Sequence, residues 1–104
     1  MCTREEIYNT EGNILCIEHK DEDGNLEKQE FFFDNKNFKT DIYYEDHKII
    51  IIHNRIYNHV DGRYIFHGDR IEFNVNGDIY IHEFYKNGIL IKTLYDCGIL
   101  QIEN

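Results

Sequence analysis

The fold is decided by residues 71–102, IEFNVNGDIYIHEFYKNGILIKTLYDCGILQI. Short alternating runs are cut here by Asn76-Gly77, Asn87-Gly88 and Cys97-Gly98, about one turn per ten or eleven residues. Asn-Gly between β-branched and aromatic residues is a strong hairpin signal, because both residues accept the positive φ of a type I′ turn. The stretch predicts a β-meander, and the earlier chain reads as looser copies of it.

Composition agrees. The 104 residues suit one domain, 1–104, large enough for a modest core. There are 17 Ile, 8 Tyr and 7 Phe, but no Ala, Ser, Pro or Trp. Ile, Tyr and Phe fit a pleated surface, and without Ala the best helix former is missing. The expected class is all-β and mostly antiparallel: a twisted meander of about eight to ten short strands, curled or dimeric. Abundant Ile, Asn, Lys and Tyr also suit an AT-rich coding source, such as a low-GC bacterium or one of its phages.

The net charge of −9 is uneven, −7 over residues 1–52 and −2 over residues 53–104. An acidic chain repels phosphate backbones, so a basic protein is the expected partner rather than nucleic acid. The three cysteines, Cys2, Cys16 and Cys97, have no metal-type spacing. Residues 1–9 contain no apolar signal segment, and no run approaches the ~18 apolar residues of a membrane span. The expectation is a reduced, cytoplasmic protein without membrane contact.

Along the chain, Thr3-Arg4-Glu5-Glu6 has the form of a capping box and predicts a single helical turn. Strands are expected over residues 13–20, 26–33 and 38–44, with a tight turn at Glu45-Asp46. Ile49, Ile50, Ile51 and Ile52 put apolar side chains on both faces of the next strand, which predicts cover on both sides. Either the sheet curls or sandwiches over them, or a partner does. Short strands should follow at residues 55–60 and 63–67, with Gly68-Asp69 as a turn.

Turn spacing suggests an internal repeat, with degenerate copies near residues 8–30, 31–53 and 71–102. Glu11-Gly12-Asn13-Ile14 matches Asn76-Gly77-Asp78-Ile79, and Asn35-Lys36-Asn37-Phe38 fits the same slot. A second slot holds Asp23-Gly24, one residue late, then Asp46-His47 and Asn87-Gly88. A unit of two strands and two turns, with Tyr85-Lys86-Asn87-Gly88 inside it, resembles the bacterial variant of the MORN repeat. The Gly of that pattern is replaced at Lys36 and His47. The resemblance implies a one-after-another antiparallel sheet and a role in protein contact, since bacterial members are often labelled antitoxin-like.

Candidate chemistry is sparse. Residues 19–30 share acids, a Gly and a final Glu with a calcium-binding EF-hand loop, but His19 stands where Asp is needed and the flanks read as strands. An acidic hairpin turn explains the segment better, and no metal or cofactor is expected. Six histidines (His19, His47, His53, His59, His67, His82) lack metal spacing, although strands could bring His53, His67 and His82 together. Without Ser there is no serine nucleophile. Cys97 with His82 as base is conceivable, yet a small apolar-like cysteine is the simpler reading. The expectation is therefore not an enzyme.

The function expected from these cues is an acidic, non-enzymatic inhibitor or neutraliser of a larger, nucleic-acid-handling protein. Antitoxin or immunity proteins and phage anti-defence inhibitors such as anti-CRISPRs have this character. Asp21, Glu22, Asp23, Glu27 and Glu30 would supply its charge, and Tyr43, Tyr44, Tyr80 and Tyr85 its aromatic contacts. The alternative is a self-assembling, MORN-like module, a homodimer with Ile49, Ile50, Ile51 and Ile52 as its seam. A small-molecule binder with a curled sheet as its pocket is a third reading.

Overall fold

A computed structural model describes residues 2–96. Eight strands follow one another: β1 Thr3–Tyr8, β2 Ile14–Lys20, β3 Leu26–Phe33, β4 Phe38–Glu45, β5 Lys48–Asn58, β6 Arg63–Phe73, β7 Ile79–Lys86 and β8 Ile89–Asp96. Their order in space is their order in sequence, every pair is antiparallel, and the sheet stays open. Each strand packs mainly on its sequential neighbours, so the sheet is a single layer within extents of 49 × 38 × 22 Å.

Two turn designs build most of the hairpins. Asn9, Asp21 and Asn74 each open a three-residue loop closed by glycine. In each, the side-chain oxygen accepts backbone N–H groups two and four residues on, and the glycine N–H returns to the first carbonyl. The closing φ, 89° at Gly77, is the left-handed value that a type I turn with a glycine bulge requires. Asp46-His47 and Asn87-Gly88 instead have positive φ at both residues, the type I′ design.

The expected turns are thus corrected in three places. Asn76-Gly77 belongs to the three-residue design, because Asn74 captures the N–H groups of Asn76 and Asp78. Asp23-Gly24 belongs with it rather than in the second repeat slot. The tight turn is Asp46-His47, with Glu45 and Lys48 already paired as strand residues. The Cys97-Gly98 turn lies outside the described residues.

Three strand expectations also change. Thr3 to Glu6 forms part of β1, because each residue finds a backbone partner on β2 from Lys20 to Ile17. The residues after Ile52 continue β5 without a break to Asn58. Gly68-Asp69 is a bulge inside β6: between His53↔Arg70 and Arg55↔Phe66, β6 carries extra residues. Asn54 stabilises that bulge, donating from Nδ2 to the Asp69 carbonyl at 2.7 Å while Oδ1 accepts from Thr40 at 2.6 Å. Gly68 has φ 104°, and a Cβ there would lie 3.3 Å from Asn54 Cβ.

The single layer leaves little interior. Only Cys16, Ile17 and Asp41 are buried among the described residues. Among the described residues nothing forms a second layer over Ile49 to Ile52, and Ile49 is exposed. Registers sort the side chains onto two faces, since directly paired residues point to the same side. One face carries the row Ile17, Glu30, Asp41, His53, Arg70, Glu83. The other carries Glu18, Gln29, Ile42, Ile52, Ile71, His82. We call them the polar and the apolar face.

Candidate functional site

At the centre of the polar face, Asp41 is 1 % exposed with only one layer of backbone beneath it. Long neighbours on the same face cover it. Lys39 Nζ lies 2.7 Å from Glu30 and 3.4 Å from Asp41, and Arg55 Nε lies 3.8 Å from Asp41. Register explains the arrangement. Glu30 stands opposite Asp41, and Lys39 opposite Arg55, so like charges share a rung and opposite charges meet along the strand and on the diagonal. Lys39 also lies over the rings of Phe32 and Tyr64.

The network continues across β6 and β7. Arg70 bonds Glu83 at 2.7 Å and Glu72 at 2.5 Å, and the Tyr85 hydroxyl donates to Glu83 at 3.0 Å. Phe66 sits between the two arginines, 5.1 Å from Arg55 and 5.8 Å from Arg70. His53 meets it edge-on and Tyr85 tilts against it, both at 5.0 Å between ring centroids.

These surroundings set the protonation states. Burial raises the Glu30 carboxyl, but hydrogen bonds from Lys39 and His19 and the charges of Lys39 and Lys28 bring it down to about 2. Burial lowers Lys39, and its hydrogen bond to Glu30 with the charge of Asp41 more than reverses that. His53 is held down at about 4, first by burial and then by Arg55, Arg70 and Lys28, so its imidazole is neutral at pH 7. Both Asp41 carboxylate oxygens, His53 Nε2 and Arg55 Nε are buried without a well-aligned hydrogen bond.

Because the polar face neutralises much of its own charge, the excess acidity lies at the turns. Chain direction alternates along a meander, so the β2–β3, β4–β5 and β6–β7 turns share one edge of the sheet. Asp21, Glu27, Glu45 and Asp46 meet there around a recess of about 230 Å³, with Tyr44 and His47. Asp23 is exposed on the same turn as Asp21, and Glu22 lies between them. Asp78 belongs to the third turn of that edge.

The expected charge cluster therefore divides. Asp21, Glu22, Asp23 and Glu27 belong to the acidic edge, which gains Glu45 and Asp46 from the next turn. Glu30 is on the polar face, engaged by Lys39 and His19. The tyrosines divide as well. Tyr43 and Tyr85 are on the polar face, Tyr43 under Lys28 and beside His53. Tyr44 is on the apolar side, where its hydroxyl donates to Gln29, which in turn donates to Glu18; Tyr80 lines a recess with Ile51 and Glu72 of the polar side. Burial, with Glu18 and Cys16 nearby, raises the Tyr44 hydroxyl.

His53, His67 and His82 do not converge. His53 is on the polar face, whereas His67 packs against Phe38 and His82 pairs with Asp69 at 3.1 Å on the other. In the EF-hand-like segment, the Asp21 carboxylate is used by its own turn and Glu30 by Lys39 and His19. Among the described residues no three His, Cys, Asp or Glu side chains gather as metal ligands. Cys97 lies outside those residues; the buried Cys16 thiol is pushed up by burial and by Glu18 and Glu30.

Sequence reasoning missed Lys39, Asp41, Arg55, Phe66 and Arg70, and weighed His53 only as a metal ligand. A signal existed: Lys39-Thr40-Asp41, His53-Asn54-Arg55 and Arg70-Ile71-Glu72 place charged or polar groups two apart in mid-strand, hence on one face.

No protein-family model and no curated protein matches this chain. Among solved structures it is similar to a Bacteroides fragilis protein of unknown function, with 13% identity over 89% of this chain and 90% of that one, at a TM-score of 0.37. A likeness that distant carries no argument.

Proposed function

We propose that this chain is a non-enzymatic binding protein that neutralises a larger, basic, nucleic-acid-handling protein through its acidic edge. The carrying observation is the partition of charge. Lys39, Arg55 and Arg70 are spent on the acids of the polar face, so Asp21, Asp23, Glu27, Glu45 and Asp46 dominate the turn edge. Such an edge repels phosphate and attracts a basic groove, speeding encounter and fixing orientation. Antitoxin, immunity and phage anti-defence inhibitors act this way.

The test is capture of a basic partner by the tagged chain, followed by binding at increasing salt. Affinity should fall as salt rises, and Glu27→Lys with Asp46→Lys should abolish both binding and inhibition of the partner's nucleic-acid activity. Salt-insensitive binding that tolerates both reversals would exclude the acidic edge as the contact.

A further inference from the structure

We infer that the apolar face is covered by a second copy of this chain, packed face to face about a two-fold axis parallel to the strands and passing between β4 and β5. This rests on the apolar face alone and stands apart from the acidic-edge reading.

Area is the first argument. The accessible surface of the chain is 7180 Å². A folded monomer of its 12.6 kDa mass typically exposes about 6,200 Å². The excess is about 1,000 Å² per chain, and a stable protein interface buries about 800 Å² per partner. The apolar face is the side with surface to give. On the polar face Glu30, Lys39 and Asp41 already mostly cover one another, and Arg70 covers Glu83. On the apolar face Phe33 remains 52% and Phe38 37% exposed.

Self-complementarity is the second. Along the apolar row, β2 to β7 contribute Glu18, Gln29, Ile42, Ile52, Ile71 and His82. The proposed axis exchanges β4 with β5, β3 with β6 and β2 with β7. Ile42 then faces Ile52 of the second copy, Gln29 its Ile71, and Glu18, which Gln29 bonds, its His82, which Asp69 bonds. The row Phe33, Phe38, Ile56, Ile65 maps onto itself in the same way, with Phe38 against Ile56 and Phe33 against Ile65. An interface in which each residue is met by its symmetry counterpart is what an isologous dimer needs. Two twisted sheets stacked about 10 Å apart supply the second layer that the described residues lack.

Light scattering and sedimentation equilibrium test this. The protein should run at twice the 12.6 kDa chain mass at micromolar concentration. Ile52→Lys, placing a charge at the centre of the seam, should weaken dimerisation by about a hundredfold. Ile52→Thr keeps a strand-compatible β-branched residue, so it decides the matter if the lysine variant fails to fold. It should weaken dimerisation by about tenfold, because the axis makes one substitution act twice. In a Cys2→Thr, Cys97→Thr background, Glu18→Cys with His82→Cys should crosslink two chains with a bismaleimide of about 10 Å reach, well above either single variant. A monomer at all concentrations, including one that captures a different protein on this face, overturns the proposal. So does a dimer indifferent to folded Ile52 variants.

Discussion

His53 gives the sharpest test of the polar face. Its imidazole lies between β4 and β6, edge-on to Phe66 and Tyr43, with Arg55 Nη2 3.3 Å from Nδ1. Folding holds its pKa at about 4. In the unfolded chain it returns to about 6.5. Between those values the unfolded state binds a proton that the folded state refuses. Stability is therefore intact above about pH 6.5 and falls as the pH drops towards 4. The loss is up to about 1.36 kcal/mol per pH unit, roughly 3 kcal/mol over the window. The Glu30 carboxyl, lowered to about 2, acts in a lower window: its contribution is complete above about pH 4.5 and is lost as the pH falls towards 2. His53→Phe keeps the aromatic contacts and removes the proton site. Urea unfolding followed by circular dichroism, at pH 7, 6, 5 and 4 and one protein concentration, should show wild type losing about 3 kcal/mol more than the variant. A difference between the two that does not change with pH would refute the burial argument for His53.

Three further substitutions probe separate devices. Lys39→Met leaves Glu30 and Asp41 facing each other without their shared cation, and should cost about 3 to 5 kcal/mol in urea unfolding at pH 7, less at pH 3. His47→Gly relieves a left-handed histidine (φ 65°) at the second position of a type I′ turn, and should raise stability by about 1 kcal/mol. Gly68→Ala forces a Cβ against Asn54 at φ 104° and should cost about 2 kcal/mol or more, visible as a lower thermal midpoint.

What the sequence made legible was local. Turn residues declare themselves because positive φ and side-chain capture of backbone N–H groups depend on a few adjacent atoms. Asn87-Gly88 could therefore be read directly. Asn76-Gly77 carries the same signal, but Asn74, two residues upstream of Asn76, competes for the same turn and wins it. Gly68-Asp69 looked like a turn for a related reason: a glycine that permits a bulge and one that permits a reversal are the same residue. The difference lies in Asn54, fourteen residues away, whose amide supports the bulge. The candidate site was harder to see because it is a property of register. Asp41 is unremarkable in sequence, and is buried only because Lys39, Arg55 and Glu30 arrive on the same face from its own and adjacent strands. Register also affects the repeats. The turns at Gly12 and Gly77 share one design but lie five strands apart, on opposite edges of the sheet. A shift by whole hairpins cannot superpose them.

The same alternation links the two proposed surfaces. A two-fold axis parallel to the strands preserves position along each strand, so it brings the acidic turn edges of both copies to the same end of the stacked sheets. The apolar faces are then consumed between the copies, and the charged edges remain outside and are doubled in number. A basic partner that reads the edge therefore has no reason to separate the copies, whereas one that reads the apolar face must displace one of them. Adding saturating partner while following the mass of the complex distinguishes the two. A complex containing two copies of this chain is expected, with salt dependence steeper than that of Ile52→Lys held as a monomer. A complex of one copy with one partner would show that partner and second copy compete for the same face.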